Sequence, residues 1–310
     1  MQTLWQDLRY GARMLWKNPG FTLIAVITLA LGGGANTAIF QLLNAVRLRS
    51  LPVQKPEELA EARIADSANR WGNFGGRRAE LTNPLWEQIR EKQQAFSGVF
   101  AWGTATFDLS PRGEQRFTEG GLWVSGDFFN TLGVRPALGR VFTQSDDQRG
   151  CGSPGVVISQ AFWQRAFGGD ASVLGKKITL NGHSFEMIGV TPAGFFGVEV
   201  GRSFDVAVPI CAEPLINGER ARLDRRSAWW LSVMGRLKPG WTLQQATAHL
   251  NSISAGIFQD TVDTGYTAER AAGYRGFKLE AFSAGSGVSQ LRPQYNDSLG
   301  LLLAIGGLVL

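Results

Sequence analysis

The chain has 310 residues, of which 44% are hydrophobic and 18% charged, with a formal net charge of +5. This balance excludes a disordered tail and a coiled coil, and a mean hydropathy of −0.06 excludes a chain that is mostly membrane. Two histidines (His183, His249) and two cysteines (Cys151, Cys211) exclude a four-ligand zinc or iron–sulfur module. The basic residues are scattered and form no stripe, which argues against nucleic acid as a partner. With 39 Gly and 12 Pro, the composition favours a loop-rich β or α+β fold.

Charge divides the chain. Residues 1–17 carry Arg9, Arg13 and Lys17 against Asp7, and residues 18–46 carry no charge. Residues 47–298 hold 28 bases and 25 acids, and residues 299–310 again hold none. Within residues 1–18, Leu4, Trp5, Leu8, Ala12, Leu15 and Trp16 fall on one helical face, and Arg9, Arg13 and Lys17 fall on another. That pattern predicts an amphipathic helix lying in a membrane interface, with Trp5 and Trp16 at headgroup depth, so membrane lipid is an expected partner.

Pro19 and Gly20 break this helix from FTLIAVITLALGGGANTAIFQLLNAV (21–46). About 20 helical residues cross the hydrocarbon, so residues 19–46 read as a transmembrane helix. Ala30, Gly34 and Ala38 form a small-xxx-small spacing, repeated one residue out of phase by Gly33 and Thr37. Such spacing admits another helix closely; the plainer alternative is a single-span anchor.

The three bases before the span predict a cytoplasmic N-terminus, with Arg47 and Arg49 weighing the other way. A cleaved signal peptide cut near Gly33-Gly34-Ala35 is the competing reading, and both place residues 47–298 outside the cytoplasm. After Ser298 the stretch LGLLLAIGGLVL is too short to cross a bilayer. It reads either as the start of a second membrane helix in a longer polytopic protein or as a buried apolar tail.

In the region between, Asn83-Pro84 reads as the cap and first turn of a helix continuing to Phe96. Residues 98–109 and 116–125 read as strands. GDFFNTLG is a short helix stopped by Gly133. Val156-Val157-Ile158 is a buried strand, and Ser159 caps a helix ended by Gly168. Residues 177–190 form a hairpin about Asn181-Gly182, a type I′ turn. Strands follow at 205–210 and 229–237, then a turn at Lys238-Pro239-Gly240. Thr242 with Gln245 makes a capping box for a helix through Ala246, Leu250 and Ile253. Residues 217–227 and 283–297 read as loops. The mixture, without βαβ alternation, predicts an α+β domain of two subdomains.

No catalytic set assembles: H-E-x-x-H, G-x-S-x-G and C-x-x-C are all missing. The chain is therefore read as neither an enzyme nor a cofactor or metal carrier. GGDASVLGKK (168–177) imitates a phosphate loop. Its glycine spacing is one residue too long, and Lys177 stands where Ser or Thr must hold magnesium. Cys151 and Cys211 lie in a compartment where disulfides persist. A bond between them would close a loop of about 60 residues, worth roughly 4 kcal/mol by chain entropy; the alternative is two independent small buried residues.

Residues 8–53, LRYGARMLWKNPGFTLIAVITLALGGGANTAIFQLLNAVRLRSLPV, resemble the first membrane helix of MacB/FtsX-type ABC transporter permeases. LWEQIREKQQAFSGVFAW, VSGDFFNTLGVRPALGRVFTQSDD, VVISQAFWQRAFGGDASVLGKKITLNGHSFEMIGVTPAGFFG and MGRLKPGWTLQQA resemble, in that order, the MacB-like periplasmic core domain. The likeness is strongest to the acidobacterial duplicated orphan permeases.

The resemblance implies a bacterial inner-membrane permease subunit with residues 47–298 periplasmic. It implies partnership with further permease helices or a second permease unit, as dimer or pseudo-dimer. A separate cytoplasmic ATPase would drive export or mechanotransmission, with no nucleotide held by this chain. The alternative is a membrane-tethered binding or scaffold module that regulates envelope proteins.

Overall fold

In the computed structural model, residues 2–43, 50–75, 80–110, 116–151, 155–289 and 301 are described. The chain divides into two compact units, Met1–Arg49 with Ser289–Leu310, and Ser50–Val288. The expected second membrane helix at 299–310 lies outside the described residues except for Leu301.

The first unit contains α1 (Gln2–Lys17) and α2 (Pro19–Leu43). The break between them falls at Asn18, not at Pro19-Gly20. Pro19 opens α2 because its fixed φ and missing N–H suit a first helical turn. The Thr22 hydroxyl lies 2.6 Å from the Leu15 carbonyl oxygen and bridges the break. Residues 44–46, the end of the expected span, lie outside the described residues.

The second unit runs β1 (Leu59–Ile64), β2 (Asn73–Phe74), α3 (Asn83–Lys92), β3 (Phe96–Ala105), β4 (Gly121–Val124), α4 (Phe128–Leu132), β5 (Leu138–Gly139), β6 (Val156–Ile158) and α5 (Gln160–Phe167). It continues with β7 (Lys177–Leu180), β8 (His183–Val190), β9 (Val206–Pro209), α6 (Glu213–Asn217), β10 (Ala228–Trp229), β11 (Ser232–Leu237), α7 (Leu243–Thr261), α8 (Ala268–Arg275) and β12 (Leu279–Ser283).

Local chemistry sets many of these boundaries. The Ser159 hydroxyl accepts the Phe162 N–H at 3.1 Å, and Gly168, at φ 61°, ends α5. Thr242 and Gln245 form a reciprocal capping box on α7. Asn181 and Gly182 take φ of 49° and 84° between β7 and β8, the pair of positive angles a type I′ turn needs.

Several boundaries differ from expectation, among them the strands read at 98–109 and 116–125, which are β3 (Phe96–Ala105) and β4 (Gly121–Val124). The cap of α3 is Thr82, whose hydroxyl accepts the Leu85 N–H. Asn83 sits inside the first turn and donates from Nδ2 to the Leu223 carbonyl at 3.2 Å. The helix stops at Lys92 because Gln93 turns extended and its Oε1 accepts the Phe96 N–H at 2.9 Å, which makes Phe96 a strand residue. The expected strand at 229–237 divides, because Trp230 and Leu231 both donate to the Leu81 carbonyl. That leaves β10 paired with β2 in a separate two-stranded sheet.

The main sheet has ten strands in the order β12-β1-β11-β3-β4-β9-β6-β8-β5, with β7 on β8. The β4–β9 and β6–β8 pairs are parallel, and the other pairs in this sheet are antiparallel. The two expected subdomains are thus two halves of one sheet, joined where β4 meets β9.

Both faces are buried. Val99, Ala101, Trp123, Val156, Ile158 and Val206 pack on one side with residues of α3, α5, α7 and α8. Phe100, Trp102, Leu122, Val124, Val157 and Ala207 pack on the other with Phe128, Phe129 and Leu132 of α4. This is the period-two alternation of a strand with a core on each side.

The β12 edge is closed by α7. The Leu279 N–H donates to Ser254 Oγ at 2.9 Å and the Ala281 N–H to Thr247 Oγ1 at 3.0 Å, so strand groups that would template another chain are satisfied. Ser254→Ala strands the buried Leu279 amide. It is expected to cost about 1–3 kcal/mol in denaturant unfolding, and no loss would show the edge to be hydrated instead.

Candidate functional site

Two places carry the candidate functional residues. The first is the helical unit. Trp5 and Trp16 are 73% and 90% exposed, and Arg9, Arg13 and Lys17 are also exposed along α1. In α2, Ala30, Gly34, Thr37 and Ala38 are exposed and Gly33 is half-buried. The Thr37 hydroxyl turns back to the Gly33 carbonyl at 2.8 Å, so it needs no outside partner in an apolar surrounding. Large apolar side chains from Phe21 to Leu31 are exposed around the same helix. Over Pro19–Ala38 the mean hydropathy is 1.5, and the helix is long and apolar enough to cross a membrane.

The second place arises from the sheet. Because β4 and β9 are parallel, their C-terminal ends lie together. The chain leaves β4 as Ser125-Gly126-Asp127 and leaves β9 as Ile210-Cys211. Both turns aim an amide at one carboxylate: Asp147 accepts the Cys211 N–H at 2.8 Å and the Gly126 N–H at 3.1 Å. A Cβ on Gly126 would run into the Thr143 carbonyl, so glycine alone permits this approach. Upstream, Arg140 forks onto Asp146 with both bonds at 2.8 Å, and Asp146 completes a capping box with Thr143.

Arg149 bridges three segments. Its Nε and Nη2 donate to Glu87 of α3 at 2.9 and 2.8 Å, and Nη1 pairs with Asp224. The structure joins Cys151 to Cys211, with their Cα atoms 5.8 Å apart. The result is a braced cleft of about 610 Å³, whose walls include Trp86, Glu87, Arg90, Asp127, Gln144 and Asp147.

Burial pushes the Asp147 carboxyl up to about 6, against the two amide donors and the Arg90 charge, which favour ionisation. The two carboxylates on Arg149 hold its proton more tightly than an ordinary guanidinium does. Of this cleft only the two cysteines are legible as site residues in sequence. The T-x-x-D pattern of Thr143 and Asp146 signals the local turn, but the partners of Asp147 lie 21 and 64 residues away along the chain.

A family profile described as the MacB-like periplasmic core domain matches residues 22–253. The chain belongs to that family. It is a domain of ABC-type transporter permeases and not a family of classical enzymes. Among solved structures, the periplasmic region of MacB from Actinobacillus actinomycetemcomitans is similar at 15% identity and a TM-score of 0.46, over 65% of this chain and 85% of that one. A domain from a protein described as a permease of Porphyromonas gingivalis shows 17% identity and a TM-score of 0.45, over 78% and 97% of the two chains. The extracellular domain of the noncanonic ABC-type transporter YknZ from Gram-positive bacteria shows 15% and 0.43, over 65% and 94%. No curated protein matches the sequence.

Elsewhere in this MacB-like domain the remaining motifs have structural roles. Asp170, within the stretch 168–177, caps a short turn by accepting the Ser172 N–H at 2.8 Å and pairs with Lys176. His249 Nε2 accepts the Gln94 N–H at 2.9 Å, which fixes α7 to the end of α3. Among the described residues no group of three or more His, Cys, Asp or Glu side chains is placed to hold a metal ion.

Asp147 keeps its proton up to about pH 6 in the folded state, whereas the ordinary value is 3.8. Its contribution to stability is therefore present below the unfolded value and lost as pH rises through 6. Between about pH 5 and pH 7 the domain is expected to lose roughly 1–2 kcal/mol from this group, and Asp147→Asn is expected to flatten that slope in denaturant unfolding. An unchanged slope would reassign the pH dependence. Separately, Cys151→Ser is expected to cost about 2–4 kcal/mol, read as a lowered unfolding midpoint that a reductant does not lower further.

Proposed function

We propose that this chain is a permease subunit of a MacB/FtsX-type ABC transport system, closest to the acidobacterial duplicated orphan permeases. The observation that carries the reading is the extent of the family match, which begins inside the apolar α2 and runs to residue 253 through the folded unit. Residues 19–46 would cross the bacterial inner membrane and residues 47–298 would form the periplasmic domain.

The N-terminus would be cytoplasmic, with Trp5, Arg9, Arg13, Trp16 and Lys17 of α1 anchored at the lipid interface. Ala30, Gly33, Gly34, Thr37 and Ala38 would pack against further permease helices or a second permease unit. A separate cytoplasmic ATPase would shift these helices between two states, and the external domain would follow as a braced body, for export or mechanotransmission.

The experiment uses single cysteines, since Cys151 and Cys211 are bonded to each other. A membrane-impermeant maleimide is expected to label Lys238→Cys in intact spheroplasts and Gln6→Cys only after the membrane is opened. The reverse pattern would overturn the topology. Gly34→Leu is expected to lower copurification of differently tagged copies or permease partners about tenfold, with the folded domain unaffected. Undiminished assembly would remove the small-residue face from the interface. ATP coupling is tested by whether magnesium-ATP changes the Lys238→Cys labelling rate when, and only when, a cytoplasmic ATPase copurifies.

A further inference from the structure

Residues 51–58, the first described stretch after α2, are held to the sheet in an unusual way. Among the described residues the segment joins no strand ladder; it bends through residues 52–55 and enters β1 by a 3-10 turn at Pro56–Glu58. Its first residues are anchored by the Leu51 N–H, which donates to the Gly285 carbonyl at 2.9 Å, and by the Leu51 side chain, which is buried in the α4-side core with Val53 packed against it. Beyond these, among the described residues, the hydrogen bonds from the sheet onto residues 54–58 come from one side chain, Arg236 of β11.

Arg236 Nη2 donates to the Gln54 carbonyl at 2.6 Å and Nη1 to the Lys55 carbonyl at 2.8 Å. Nη1 also reaches the Glu58 carboxylate at 3.1 Å. Nε and Nη2 both donate to the Thr131 carbonyl of α4, at 3.2 and 3.1 Å. All five N–H groups that a guanidinium owns are used. Three of the four acceptors are backbone or side-chain groups of the 51–58 segment, and the fourth is the end of α4.

Two further features mark the contact as poised. Lys55 holds φ at 43°, a left-handed conformation that costs a non-glycine residue free energy, and Arg236 bonds its carbonyl. Gln54 lies over the C-terminal stop of α4, where a Cβ on Gly133 would come within 3.0 Å of it. A second cleft, of about 440 Å³, is bounded by Arg236 and Thr131 at this place and by Arg90, Asp127 and Gln144 where it adjoins the Asp147 cleft. The short helix α4 therefore has the membrane-side segment at its C-terminal end and the braced cleft at its N-terminal end.

We propose that Arg236 is a latch: it holds residues 51–58 against the C-terminal end of α4 in a docked state that is released and remade as the membrane helices move. The proposal rests on the reading of residues 19–46 as the membrane span. Arg236 is a positioning residue, acting on backbone carbonyls through a geometry that lysine, a point donor on a flexible stem, does not reproduce. Release would free the strained Lys55 and open the Arg236 end of the cleft beside α4.

Hydrogen–deuterium exchange on the full chain in nanodiscs tests this. In Arg236→Gln the amides of Val53, Glu58, Gly133 and Val134 are expected to exchange about tenfold faster or more, with β1, β3 and β11 unchanged. Arg236→Lys is expected to resemble Arg236→Gln. Unchanged exchange at Val53 and Glu58, uniform acceleration across the sheet, or full rescue by lysine would each overturn the latch.

If Arg236→Gln fails to fold, Lys55 supplies a second test. Lys55→Gly and Lys55→Ala lose the same side-chain contacts but differ in tolerance of positive φ. Exchange at Glu58 is expected to be about threefold slower in Lys55→Gly than in Lys55→Ala, and equal rates would count against a strained docked state. The maleimide assay on the same variants separates a failed latch from a failed membrane span, because only the latter moves the labelling of Gln6→Cys and Lys238→Cys.

Discussion

The parallel pairing of Gly121–Val124 with Val206–Pro209 is the seam on which the 50–288 unit depends. It joins a five-strand half built from 59–124 and 228–283 to a half built from 138–209. Strands buried on both faces read as unbroken apolar runs, and GLWV and VAVP are of that kind, buried at every position. Pro209 is tolerated in so central a strand because it is the last residue, where a missing N–H ends the ladder without opening a hole in it. Beyond the seam, among the described residues, the two parts are tied by an isolated parallel bridge, Glu199 with Val288.

The same seam creates the polar cleft. Two parallel strands deliver their C-terminal turns to one edge, and the unpaired amides there need acceptors. Asp147 supplies both oxygens, which draws the 143–151 loop across the strand ends. The Cys151–Cys211 bond and the Arg149 bridge then fix that loop to the turn after β9 and to α3. A carboxyl pushed up to about 6 follows from this placement, because the amide grip holds it where burial opposes its charge. Cleft, disulfide and perturbed acid are consequences of one strand pairing.

This explains which parts were legible in the amino-acid sequence. Ser159 with Gly168, Thr242 with Gln245, and Asn181-Gly182 are signals whose physics is complete within a few residues, and each marks its element correctly. Strand β1 is hidden because Glu61 and Arg63 look like surface residues. Glu61 is nevertheless buried, and the Arg63 guanidinium lies 3.9 Å over the Phe282 ring, a partner from the far end of the chain. Asn83 looks like a cap because Pro84 follows it, yet Thr82 does the capping, since Asn83 is claimed by Leu223, 140 residues away. The residues of the cleft and of the Arg236 contact are illegible for the same reason: their meaning lies in long-range carbonyls and amides.

The two ends of the folded unit are also tied together. β1 and β12 run antiparallel as neighbours, the Ala284 N–H donates to the Leu59 carbonyl at 2.9 Å, and the Leu51 N–H donates to the Gly285 carbonyl at the same distance. The chain therefore comes into and goes out of the unit through one two-stranded root. A displacement applied to either connection acts first on this root, while the rest of the sheet is packed on both faces and stiffened by the disulfide. Packed cores do not deform continuously, so movement is accommodated where packing is thinnest. In the bent 51–58 segment, Leu51 and Val53 pack on the core while Gln54 and Lys55 are held by the Arg236 side chain and, among the described residues, by no strand ladder. The ladder-bound root and the bent entry that Arg236 holds beside it are thus two parts of the same construction.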